Sequence, residues 1–154
     1  MGDTVAQQSS MPVGVPLLQC RFCSSVPAAN GGFHAFQNVT VWFRIRSTAG
    51  PFCRDCGTAI FRHMQQATLT LGWYGIAGWV APIVLVLNLF RSDAATNLGA
   101  PGPAPGAAAR RPMDPGKPLW QRPKAVAGAL APFVLILLVI LLVILLGLLS
   151  GPPG

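Results

Sequence analysis

The spacing of hydrophobic positions changes period along the chain, and each change predicts a different element. In FQNVTVWFRIRS, residues 36–47, Val39, Val41, Phe43 and Ile45 alternate with Thr40, Trp42, Arg44 and Arg46. Strict alternation predicts one continuous, half-buried strand. After Gly57 the period lengthens to that of a helix. Ile60, Phe61, Met64, Ala67, Thr68 and Leu71 share a face opposite Arg62, Gln65 and Gln66. This amphipathic helix is predicted to run straight into Leu71–Phe90, whose length of about 20 residues is roughly 30 Å as helix, the thickness of a hydrocarbon core. Gly72, Gly75, Gly78 and Pro82 interrupt that run, and Asn88 is polar. Trp73, Tyr74 and Trp79 gather at its start, where an interfacial aromatic belt belongs. The last run, Leu130–Leu149, contains no polar residue at all and predicts a membrane-spanning helix.

The predicted organisation has five parts. Residues 1–17 form a disordered arm. Residues 18–66 form a small zinc-ribbon-like β module with an exit helix. Residues 70–90 form a first transmembrane helix, with a re-entrant path as the alternative. Residues 91–128 form a disordered Pro/Gly/Ala linker, and residues 129–149 a second transmembrane helix. The fold class is therefore a small β module followed by α-helical membrane segments. Composition agrees: of 154 residues 52% are hydrophobic and only 10% charged, while 15 Pro and 17 Gly leave little chain for a large core. The opening MGDTVAQQSSMPVGV has neither a basic n-region nor an apolar h-region, so export of the module by a signal peptide is not expected.

Four cysteines in a non-exported segment point to metal or redox chemistry before disulfides. They fall in two pairs, Cys20-Arg-Phe-Cys23 and Cys53-Arg-Asp-Cys56, on either side of the predicted strand. A Cys-x-x-Cys turn points both sulfurs one way, so each pair chelates, and two pairs complete a tetrahedron around Zn²⁺. Gly57 is expected to supply a positive φ behind the second pair. Arg21 and Arg54, in matching slots, are expected to offset the site's negative charge and to donate to a sulfur. Iron is the alternative metal, because rubredoxin-like sites use similar spacing. Their proline inside the second pair and tyrosines after the first are missing here. His34 and His63 do not stand at ligand spacing from either pair. The only acids are Asp3, Asp55, Asp93 and Asp114, and no nucleophile–base–acid set is visible, so no enzyme is predicted.

The formal net charge of +7 comes from nine arginines and two lysines. Trp42, Phe43, Arg44 and Arg46 mix aromatics with cations, as a nucleic-acid-binding ribbon does. The module holds only five arginines, however, and a basic face near a membrane more often meets anionic lipid. The expected partners are the lipid bilayer and an unidentified protein, with nucleic acid not favoured. Topology draws conflicting signals. Arg110, Arg111, Lys117, Arg122 and Lys124 precede the last span and no charge follows it, which puts its N-terminal end in the cytoplasm. Arg54 and Arg62 precede the first segment and Arg91 follows it, and reduced thiols need a reducing compartment, so the zinc module is expected in the cytoplasm as well. Hydrophobic length favours two crossings, which would place that basic linker outside.

CRFC, GPFCRDCGTAIFRHM, TLTLGWYG and the LNLF ending together resemble a family of short actinobacterial membrane proteins. Its pattern is a cysteine pair, a Gly-Pro-Phe-Cys-Arg-x-Cys-Gly stretch, a short helix with Arg and Met, then Gly-Trp-Trp-Gly. Tyr74 replaces the second of those tryptophans. The resemblance covers about residues 18–91 and implies the metal pairs and a membrane segment, without an activity. A toxin-component label carried by some members makes a membrane-active toxin one alternative. The expected function is a membrane-anchored zinc-binding adaptor, with electron transfer, nucleic-acid binding and toxicity as alternatives.

Overall fold

The computed structural model describes residues 18–150 except 107 and 109, so the arm predicted over residues 1–17 lies outside the described residues. Chain order is β1 (Ser25–Val26), β2 (Ala29–Thr40), β3 (Trp42–Phe52), α1 (Arg54–Leu71), β4 (Tyr74–Gly75), α2 (Val80–Thr96), β5 (Gly102–Pro103), a short 3₁₀ turn (Leu119–Gln121) and α3 (Pro123–Leu149).

Residues 36–47 are not one strand. β2 and β3 form an antiparallel hairpin in register from Ala29↔Phe52 to Val39↔Trp42, which leaves Thr40 and Val41 as a two-residue loop. Thr40 takes a φ of 57°, the left-handed conformation that such tight hairpin loops need at their first position. The turn also inverts the expected alternation. Cross-strand partners share a face, so Val39 lies with Trp42 and not with Phe43. The strand was expected to be half-buried, yet every residue from 39 to 47 is exposed. The buried residues of the hairpin are Phe36 and Asn38 on β2 and, farther from the tip, Phe33, Ala35 and Phe52, which pack with Ile60 and Met64 of α1.

Nor is 70–90 a single helix. α1 stops at Leu71, Gly72–Trp79 turns the chain, and α2 runs back along α1 and β2. Three glycines make this possible. A Cβ on Gly72 would meet Ala81, one on Gly78 would meet the Trp73 carbonyl, and Gly75 lies against Asn38. β4, in this turn, pairs parallel to β2 through Val39↔Tyr74 and Thr40↔Gly75. α2 turns small and polar residues inward and large apolar ones outward. Ala81, Asn88, Ser92 and Ala95 are buried against the module, whereas Ile83, Val86, Leu87 and Phe90 face outward. Asn88 is fully buried: its Nδ2 donates to the His34 carbonyl (2.6 Å) and its Oδ1 accepts from the His34 N–H (2.9 Å). The side chain thus does for β2 what a neighbouring strand would.

The stretch expected to be a disordered linker is held mainly through backbone groups. Its first residues extend α2 to Thr96, and Gly102–Pro103 pairs with Ser25–Val26. Arg62 Nη1 donates to the carbonyls of Pro115 (3.1 Å) and Gly116 (2.6 Å), and Arg122 bonds to Gln66, Pro115 and Lys117. Gly128 then brings α3 against the backbone of Leu69 and Thr70, closer than any Cβ would allow. Among the described residues α3 is the one helix long and apolar enough to cross a membrane, and its apolar stretch is unburied.

Candidate metal centre

The first cysteine pair sits in the turn before β1. Cys20 N–H donates to the Ser25 carbonyl and Ser24 N–H to the Cys20 carbonyl, at 3.0 and 2.8 Å. Ser24 is the residue here with positive φ (59°). The second pair comes from a different element: Cys53 is the N-cap of α1 and Cys56 lies in its first turn. The hairpin, folding back on itself, delivers α1 beside the first pair. A helix N-terminus favours negative charge, so this location suits thiolates.

All four thiols are free, and each residue is at most 2% exposed. Their sulfurs lie within 4.8 Å of one another. Cys23 Sγ is 3.6 Å from Cys53 Sγ and 3.7 Å from Cys56 Sγ. A tetrahedron with metal–sulfur bonds of about 2.3 Å has edges of about 3.8 Å, whereas a disulfide brings sulfurs to about 2.05 Å. The separations therefore fit ligands sharing one metal ion. The sequence-predicted set Cys20, Cys23, Cys53 and Cys56 is brought together in one buried cluster that could hold a metal ion. Zn²⁺ and iron both accept four thiolates in this geometry.

The surroundings divide the thiols. Burial is the largest influence on Cys20 and raises it, yet the N–H groups of Cys53, Cys23 and Phe22 together bring it down to about 7. Burial pushes Cys53 up to about 11 and raises Cys56 as well. The Met113 N–H reaches Cys56 Sγ at 3.3 Å, and the Arg110 N–H donates to the Cys23 carbonyl at 3.0 Å. The 110–116 segment thus forms part of the site's cover. The segment leaves no trace in the sequence pattern, because a backbone N–H carries no residue signature.

Three expectations change. Gly57 does not supply a positive φ; a Cβ there would come within 2.6 Å of Ala95 Cβ, so its role is to let α2 approach α1. Arg21 donates to the Ala49 carbonyl and lies over the Phe22 ring instead of donating to a sulfur. Arg54 pairs with Asp55 at 3.3 Å. Neither histidine joins the cluster. His34 Nδ1 is 2.8 Å from Ser47 Oγ, and its Nε2 meets Arg91. Burial, then the Arg91 charge, hold its imidazole below the usual value. His63 is exposed on α1.

Comparison with family models, curated proteins and solved structures found no match. The family resemblance accordingly rests on the motifs alone, and the chemistry on the geometry of the four thiols.

Proposed function

We propose that the chain is a membrane-anchored zinc-binding module that acts by binding a protein partner at the cytoplasmic face, and that it is not an enzyme. One observation carries this reading: four buried sulfurs at tetrahedral-edge separations. Four thiolates close the coordination shell, leaving no position for a substrate or an activated water, which is the arrangement of a structural zinc site. The ion ties the turn before β1 to the start of α1, beside the stacked rings of Phe22 and Phe52. In so small a module, metal binding supplies folding energy.

α3 is the proposed anchor. With α2 turned back onto the sheet, the conflict over topology disappears. The cysteines and Arg110, Arg111, Lys117, Arg122 and Lys124 then all precede a single span and lie on one side, as the positive-inside rule requires of the cytoplasm. The thiols are there kept reduced. The resemblance to short actinobacterial membrane proteins adds no activity to this reading.

Metal content of the full chain, purified in detergent under reducing conditions, tests the proposal together with reporter fusions. One zinc per chain, a protected tag at residue 100 and an exposed C-terminal tag are expected. Stoichiometric iron with a visible absorption band would replace the structural-zinc reading with an electron-transfer one. A tag at residue 100 labelled from outside would refute the single span.

A further inference from the structure

From the placement of the hairpin tip we infer a second membrane contact: the β2–β3 tip and the Tyr74–Trp79 turn form a face that seats the module on the bilayer crossed by α3. This rests on the anchoring role proposed for α3.

Three observations place the face. The tip carries Val41, Trp42 and Phe43, which are 62%, 82% and 65% exposed, and the turn adds Ile76 and Trp79 at 79% and 70%. The two segments are joined by the Val39↔Tyr74 pairing and by the Ile76 N–H donating to the Thr40 carbonyl at 3.0 Å. They therefore form one exposed apolar surface rich in aromatic side chains.

The second observation is where α3 leaves the module. Arg122 bonds to Gln66 and Gly128 packs on Leu69 and Thr70, so α3 runs in the same direction as α1 and passes the end of α1. Tyr74 lines one groove with α3 residues from Ala127 to Leu138, and Leu71 lines another with Trp42 and Phe43. The apolar run of α3 begins at Leu130, level with this end. The tip and the turn thus flank the point where α3 departs. Trp and Tyr around such a point match the aromatic belt of a membrane interface.

Charge supplies the third. No Asp or Glu occurs in 36–52 or 69–92. Arg44 and Arg46 are exposed on β3, two and four residues behind Trp42. At about 3.4 Å per residue they stand roughly 7 and 14 Å back from the tip. The headgroup layer is roughly 5–7 Å deep on each side, so with Trp42 at its inner edge Arg44 reaches the lipid phosphates. The metal centre lies at the opposite end of α1, whose 18 residues span about 27 Å. Seating the tip therefore holds the cysteine end away from the lipid, facing the cytoplasm.

The test uses the full chain reconstituted in phosphatidylcholine–phosphatidylglycerol vesicles. Trp73, Trp79 and Trp120 are changed to Phe, leaving Trp42 as the emitter. Lipids brominated near the headgroup should quench its emission, as expected for a side chain in the interface, and acrylamide should quench little. Because Trp73→Phe removes a bond to the Leu69 carbonyl, the difference between wild type and Trp42→Phe is measured too. A companion chain with Trp42→Phe and Ile140→Trp reports on α3 through deeply brominated lipids. If the α3 probe is quenched while Trp42 emits as in water, the seating is refuted and the anchor stands. If neither is quenched, the anchor itself fails and the seating fails with it.

Discussion

Replacing Asn88 by Leu separates the folded-back α2 from a membrane-spanning one. Asn88 is completely buried, and its amide satisfies both the N–H and the C=O of His34 while also reaching Gln65 Oε1 at 3.3 Å. Leu has a similar size and is more apolar, so the substitution isolates the hydrogen bonds. Each buried backbone group left without a partner costs about 1–3 kcal/mol, and the lost bond to Gln65 adds to that. The expected loss is about 3–4 kcal/mol, a large share of the roughly 5–15 kcal/mol that holds a domain folded. Hydrogen exchange on the full chain measures it directly. Peptides covering Phe33–Gln37 should lose protection by about 10²–10³-fold, since each 1.4 kcal/mol is tenfold. The spanning alternative has the opposite sign. A buried Asn in lipid is costly, and Leu would be neutral or stabilising there. Unchanged or greater protection in the variant would refute the packing of α2 on the sheet.

The same core yields further tests. Gly57→Ala places a methyl 2.6 Å from Ala95 Cβ and should cost about 1–3 kcal/mol as an overpacking change; Ala95→Gly in the same chain should recover most of the lost thermal stability. Thr68 Oγ1 accepts from the Phe36 N–H at 3.0 Å while donating to the Met64 carbonyl. Thr68→Val should therefore lower stability by about 1–2 kcal/mol, and Thr68→Ser by clearly less, read as melting temperature. Met113→Pro removes the backbone N–H by which the 110–116 segment reaches Cys56 Sγ. That chain should release metal to a chelator faster than wild type, and an unchanged rate would show that the segment does not cover the site.

What could be anticipated from the sequence depended on side chains with a signature. Cys20, Cys23, Cys53 and Cys56 announced themselves by spacing, and the Leu130–Leu149 run by its unbroken apolarity. The hairpin did not, because its turn is Thr40–Val41, with no Gly, Asn or Pro to mark it. The apolar–polar alternation continues across that turn while the strand reverses. Leu71–Phe90 looked like a span because the outward face of α2, with Ile83, Val86, Leu87 and Phe90, is as apolar as a lipid-facing helix. Gly72, Gly75, Gly78 and Asn88 were visible as interruptions, and they are the residues that make the turn and dock the helix. The 91–128 stretch is poor in large side chains, so its composition suggested disorder. It is fixed by carbonyls and N–H groups that meet Arg62, Arg122 and Cys56.

X-ray absorption at the metal edge of the full chain tests the central claim most directly. A zinc edge and a single shell of four sulfurs at about 2.3 Å are expected, lost together with the fold in Cys53→Ser. A shell containing nitrogen or oxygen, or a metal-free chain whose sulfurs are oxidised to disulfides at about 2.05 Å, would contradict it.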